Sequence, residues 1–203
     1  IIDRKFFPVL AISLFTTLIH SSGLFILGAY YMSMVKMKNR AFIISLLLAS
    51  LVLWKIGIGE SIFTLITAQF EAYIPNIVVY VRLFLEPHNF IQVSQRVLIL
   101  IPLLYFYPKL SEDDKYSQLF SIYIWGTVIY FFFGFFSLFV TRINMFYRML
   151  EIIMIPILYE MVSTKRQKLF MQIIIMAWGF TILTWVYYKE AYYPFKSIFG
   201  DIL

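Results

Sequence analysis

Residues 119–140 read LFSIYIWGTVIYFFFGFFSLFV. None of them is charged, and the run exceeds the roughly 20 residues an α-helix needs to cross a hydrocarbon core of about 30 Å. It is expected to form a span that packs through Phe131, Phe132, Phe133, Phe135 and Phe136, with Gly126 and Gly134 allowing close helix contact. Similar apolar runs lie on either side, at 41–58, 91–107 (where Pro102 is placed to kink the helix), from near Met145 to Val162, and 169–188.

With 62% hydrophobic and 14% charged residues, this 203-residue chain has too few polar side chains to cover a soluble surface. Lipid is its solvent. The expected fold is all-α: a polytopic integral membrane helical bundle of about five spans, with a re-entrant half-helix pair and interfacial helices. Residues 1–203 read as a single transmembrane domain. The opening IIDRKFF lacks the pattern of a signal peptide, and the chain is expected to be the C-terminal part of a longer polytopic protein.

Several function classes fall away. Without cysteine there is no disulfide framework and no thiolate metal site. His20 and His88 have no paired spacing, so neither a metal nor another cofactor is expected. The formal charge of +6 does not point to nucleic acid, because the bases sit at the ends of apolar runs, where membrane lipids and the positive-inside rule account for them.

The basic clusters at 36–40 and 164–168 define a cytoplasmic side. The first apolar stretch, 6–35, is interrupted by His20-Ser21-Ser22-Gly23 and flanked by bases at both ends. This favours a re-entrant pair of half-helices over one long kinked helix. Residues 59–90 are too broken for a span and too apolar for a solvated loop, so they are expected to lie along the outer face. Tyr107–Ser117 reads as a polar connection, in which Asp113 and Asp114 are solvated and hold no metal. On this topology His20, Glu71, Arg82, Glu86, His88, Arg142, Arg148 and Glu151 gather at or near the outer face.

An arginine inside hydrocarbon costs roughly 2–3 kcal/mol, so such residues usually face a cavity or a partner. Arg148 and Glu151 stand at i, i+3 and could anchor a helix end. Alternatively, the guanidinium groups of Arg142 and Arg148 could clamp a lipid phosphate bidentately. On a continuous helix those two arginines would face apart, so their convergence calls for a break near Asn144. His20 is either a hydrogen-bonding helix contact or a donor or base in a polar cavity. Arg82 and Glu86, at i, i+4, fit a surface ion pair on an interfacial helix, with Arg82 also a candidate anion contact. Glu71 is a candidate base. Tyr187, Tyr188, Tyr192 and Tyr193 fit an interfacial aromatic belt.

Three stretches resemble one family. FPVLAISLFTTLIHSSGLFIL (7–27), TRINMFYRMLEIIMIPILYE (141–160) and AYYPFKSIF (191–199) are similar, in that order, to segments of the EpsG/Wzy-type polysaccharide repeat-unit polymerases. The resemblance implies a metal-independent membrane glycosyltransferase. It would join undecaprenyl-pyrophosphate-linked oligosaccharide repeats of an O-antigen, capsule or exopolysaccharide at the outer face of the bacterial cytoplasmic membrane. It also implies chain-length regulator and flippase proteins as partners. His20, Arg142, Arg148 and Tyr193 carry over from the matched segments, His20 as acid or base and the others as substrate contacts. The competing readings are a flippase of lipid-linked sugar and another lipid-donor membrane transferase.

Overall fold

The computed structural model describes residues 5–19, 23, 25–37, 39–70 and 85–192, with backbone alone at 19, 70, 138, 139, 142 and 185–192. Among these residues the protein is helical throughout. In chain order the helices are α1 (Phe6–Ile19), α2 (Phe25–Met34), α3 (Arg40–Lys55), α4 (Ile58–Phe70), α5 (Phe90–Tyr105), α6 (Tyr107–Glu112), α7 (Asp114–Phe132), α8 (Ser137–Glu160) and α9 (Lys165–Tyr192).

Local chemistry places several boundaries. The Asn39 side chain accepts from the Phe42 amide at 2.7 Å and starts α3. Asn89 and Gln92 form a reciprocal capping box at the start of α5. Asp113 accepts from the amides of Lys115 and Tyr116 and starts α7. Gly57, at φ +77°, ends α3 in the left-handed region that a side chain resists. Beyond it α4 departs at 64° from the α3 axis.

Most of α7 is buried, and it packs against α2, α3 and α8. Phe120, Tyr123, Ile124 and Phe131 are almost fully enclosed. Its buried hydroxyls are satisfied along the helix, Ser121 donating to the Ser117 carbonyl and Thr127 to that of Tyr123. The expected glycine contacts form. A β-carbon on Gly126 would fall 2.7 Å from Tyr147 of α8, and one on Gly134 would fall 2.7 Å from the Trp54 ring. Beside the first contact, the Asn144 amide donates to the Gly126 carbonyl at 2.6 Å. Helix α9 lies antiparallel to α5, with Tyr105 against Phe170 near one end and Gln95 donating to the Thr181 carbonyl near the other.

The bundle has two distinct ends. At one, Lys36 pairs with Asp114 at 2.8 Å, the Tyr107 hydroxyl donates to the Met37 carbonyl and Lys109 donates to the Met161 carbonyl. At the other, His88, Gly134 and Ser137 meet Trp54. Helices α1 and α2 fold back on each other: the Phe6 and Tyr30 rings touch, and the Ser13 hydroxyl reaches the Gly23 carbonyl. Large apolar side chains, among them Leu18, Phe90 and Leu183, lie mostly exposed, a surface that water does not tolerate at this extent.

Some expectations change. The 119–140 run is two elements, because residues 133–136 turn and Ser137 opens α8. Residues 107–112 are a short helix, not a loop; Asp113 caps α7 and Asp114 pairs with Lys36. Among the described residues, one helix is by itself long and apolar enough to cross a membrane, at 165–184, and bent α3–α4 qualifies as a pair. The five expected spans do not all meet that criterion. At 16 residues α5 reaches about 24 Å, whereas α7 and α8 mix their apolar runs with polar groups such as Thr127, Arg148 and Glu151.

Gly126→Leu should drive α7 from α8 at Tyr147 and destabilise the bundle by about 1–3 kcal/mol. Thermal unfolding in detergent measures this. A wild-type melting temperature would show that the contact does not set the helix spacing.

Candidate functional site

Glu151 of α8 lies at the centre of a buried polar cluster. It is 3% exposed, and its Oε1 accepts from Arg96 Nη1 of α5 at 2.8 Å and from the Tyr123 hydroxyl of α7 at 2.9 Å. Its Oε2 faces Arg148 Nε at 3.8 Å. Arg96 is itself only 2% exposed, while 28% of the Arg148 side chain reaches the surface. Two guanidinium groups thus share one carboxylate, and the cluster keeps a net positive charge.

Each element supplies its residue for a local reason. Arg96 is the one cation of α5, and its guanidinium also covers the Tyr130 ring at 4.7 Å. Tyr130 stacks on His88 at 3.9 Å, and His88 meets Trp54 edge-on. An aromatic ladder therefore leads from the bundle end to the buried ion pair.

The donor order along this ladder is determined. His88 Nε2 lies 3.0 Å from the Tyr130 carbonyl, which can only accept, so Nε2 carries the proton. Nδ1 of the neutral ring then accepts from the Ser137 hydroxyl at 3.1 Å, and Ser137 accepts from Gln92 Nε2 at 3.1 Å. Two backbone bonds, from the His88 amide to the Gly134 carbonyl and from the Ser137 amide to that of Glu86, bind residues 86–88 to the α7–α8 turn. His88 is thus committed to structure. Burial, reinforced by the Arg96 charge, pushes its pKa down to about 4.

Of the residues singled out from sequence, Arg148 belongs to this cluster. Arg142 lies on α8, but its side chain is outside the described residues, as are His20, Glu71, Arg82 and Tyr193. The break near Asn144 that convergence of Arg142 and Arg148 would need is absent. Helix α8 is continuous from Ser137 to Glu160, with Asn144 buried and bonded to α7, and six residues of α-helix leave positions 142 and 148 about 120° apart around the axis. Residues 85–89 are not helical, so Glu86 does not lie on a helix. The Arg148–Glu151 pair forms only at 3.8 Å, because Arg96 and Tyr123 hold the carboxylate.

Sequence reasoning missed Arg96, Tyr123 and Tyr130. Arg96 did carry a signal, as a lone cation inside an apolar run. Among the described residues no three His, Asp or Glu gather as a metal site.

A helical bundle with a widely apolar exterior defines a membrane-associated protein. Residues 1–197 match the EpsG family, and the chain belongs to that family of polysaccharide repeat-unit polymerases. No curated protein and no solved structure is significantly similar to it.

Because the folded value for His88 lies below the ordinary 6.5, the unfolded chain takes up that proton first as the pH falls. Stability should therefore drop from about pH 6.5 to about pH 4 and level off below. Melting temperatures across this range, compared with those of His88→Gln, isolate the contribution. Parallel curves for the two proteins would contradict it.

Proposed function

We propose that this protein polymerises undecaprenyl-pyrophosphate-linked oligosaccharide repeats at the outer face of the bacterial cytoplasmic membrane. Family membership over residues 1–197 carries the reading. The Arg96–Glu151–Arg148 cluster supports it, because a surplus of buried positive charge suits a pyrophosphate leaving group.

In this reading α3, α5, α7, α8 and α9 are the five spans, and the α1–α2 hairpin is re-entrant. Lys36, Arg40, Lys109, Lys115, Lys165, Arg166 and Lys168 all belong to the end where Lys36 meets Asp114 and α9 begins. The positive-inside rule makes that end cytoplasmic and the His88 end external.

The chemistry is a displacement at the anomeric carbon. A hydroxyl at the non-reducing end of the acceptor attacks, the bond from that carbon to the pyrophosphate oxygen breaks, and the lipid pyrophosphate leaves with the electron pair. A base takes the hydroxyl proton. His20, in the link between α1 and α2, fills this role, with Glu71 as the alternative. Arg148 stabilises the charge on the leaving group, and Arg82, Arg142 and Tyr193 bind the substrate. Phe25, five residues past His20, packs on Phe146 of α8, so the α1–α2 pair adjoins the arginine-bearing helix.

The test is reconstitution of the protein in proteoliposomes with lipid-linked repeats alone. A ladder of longer glycans supports polymerisation. Transfer of label across the bilayer without lengthening would indicate a flippase instead. Arg148→Ala, and separately Arg142→Ala, should abolish the ladder with membrane insertion intact, and lysine at either position should restore little, because it lacks the bidentate fork. Normal glycan length in both alanine variants would overturn both arginine roles.

A further inference from the structure

Resting on that reading, we propose that Arg96 is a positioning residue that keeps Arg148 free for the substrate's pyrophosphate by holding Glu151 away from it. At i, i+3 on one helix, Arg148 and Glu151 are spaced for a close pair. The observed separation is 3.8 Å through Nε, whereas Arg96 and Tyr123 take the other carboxylate oxygen at 2.8 and 2.9 Å. Among the described residues nothing bonds to the two terminal nitrogens of Arg148, and its side chain is the one in the ion cluster that reaches the surface.

Neutralising Glu151 would need one arginine, and Arg148 is already within reach. Arg96 acts as a competitor. It sits on a different helix, is almost fully enclosed and is held over Tyr130. Removing it lets Glu151 close on Arg148 and cancel the charge the substrate would meet. Removing Glu151 as well should restore that charge.

The experiment uses Arg96→Met, Arg96→Lys and the double variant Arg96→Met/Glu151→Gln in the full-length protein. Thermal melts establish that each is folded. Two readouts follow: KM and kcat for the lipid-linked repeat, and thermal stabilisation by inorganic pyrophosphate. Arg96→Met should raise KM and weaken pyrophosphate binding by roughly tenfold, the scale of one charge-assisted contact. Arg96→Lys should recover part of the loss, and the double variant most of it.

A folded Arg96→Met protein with wild-type values overturns the proposal, as does a double variant no better than the single. Failure of the single variants Arg96→Met and Arg96→Lys to fold leaves the double variant against wild type as the deciding comparison, and a tenfold deficit there overturns it. Wild-type protein that binds no pyrophosphate also overturns it. The expected binding pattern without any glycan ladder would sustain the role of Arg96 while rejecting polymerisation.

Discussion

A carboxylate almost fully enclosed in a helical bundle must be paired, and Glu151 is paired by residues from two other helices. Removing one partner from a buried ion pair typically costs about 3–5 kcal/mol, because the remaining charge has no water to return to. The relative placement of α5, α7 and α8 depends on the polar contacts that satisfy this carboxylate. Glu151 is where those three helices are tied.

The close approach of α7 and α8 makes this tie possible. Gly126 lets Tyr147 lie against the backbone, and Asn144 bonds to the carbonyl that the glycine leaves accessible. Running antiparallel from that contact, the helices bring Tyr123 opposite Glu151. Toward the C-terminal end of α7, the Tyr130 ring contacts both Arg96 and His88. Holding His88 neutral keeps a second positive charge away from Arg96, and its two ring nitrogens secure the α7–α8 turn. Turn, ladder and ion pair form one connected assembly.

The fold was legible in sequence where one residue run carried the whole signal. Uncharged runs marked the helices, and small residues marked close contacts. The turn at 133–136 was hidden because its phenylalanines are indistinguishable in hydropathy from the helices on either side. The ion cluster was half legible. Arg148 and Glu151 declare themselves by helical spacing, but Arg96 has no acidic residue within a turn, and its partner lies 55 positions away. Tyr123 and Tyr130 read as apolar filling until the fold places their hydroxyl and ring against charge. Tertiary partnership of this kind leaves no local periodicity to read.

The two arginines differ in their exposure. A cation enclosed on all sides cannot reach a diffusing substrate, and a cation in open contact with headgroups is screened and weakened. Arg96 is in the first condition, so its field acts inward, on Glu151 and Tyr130. Arg148 is in between, with its Nε toward the carboxylate and part of its side chain at the surface. The carboxylate between them limits how much positive charge the bundle must bury, and its unequal sharing leaves the surplus on the arginine that is partly at the surface.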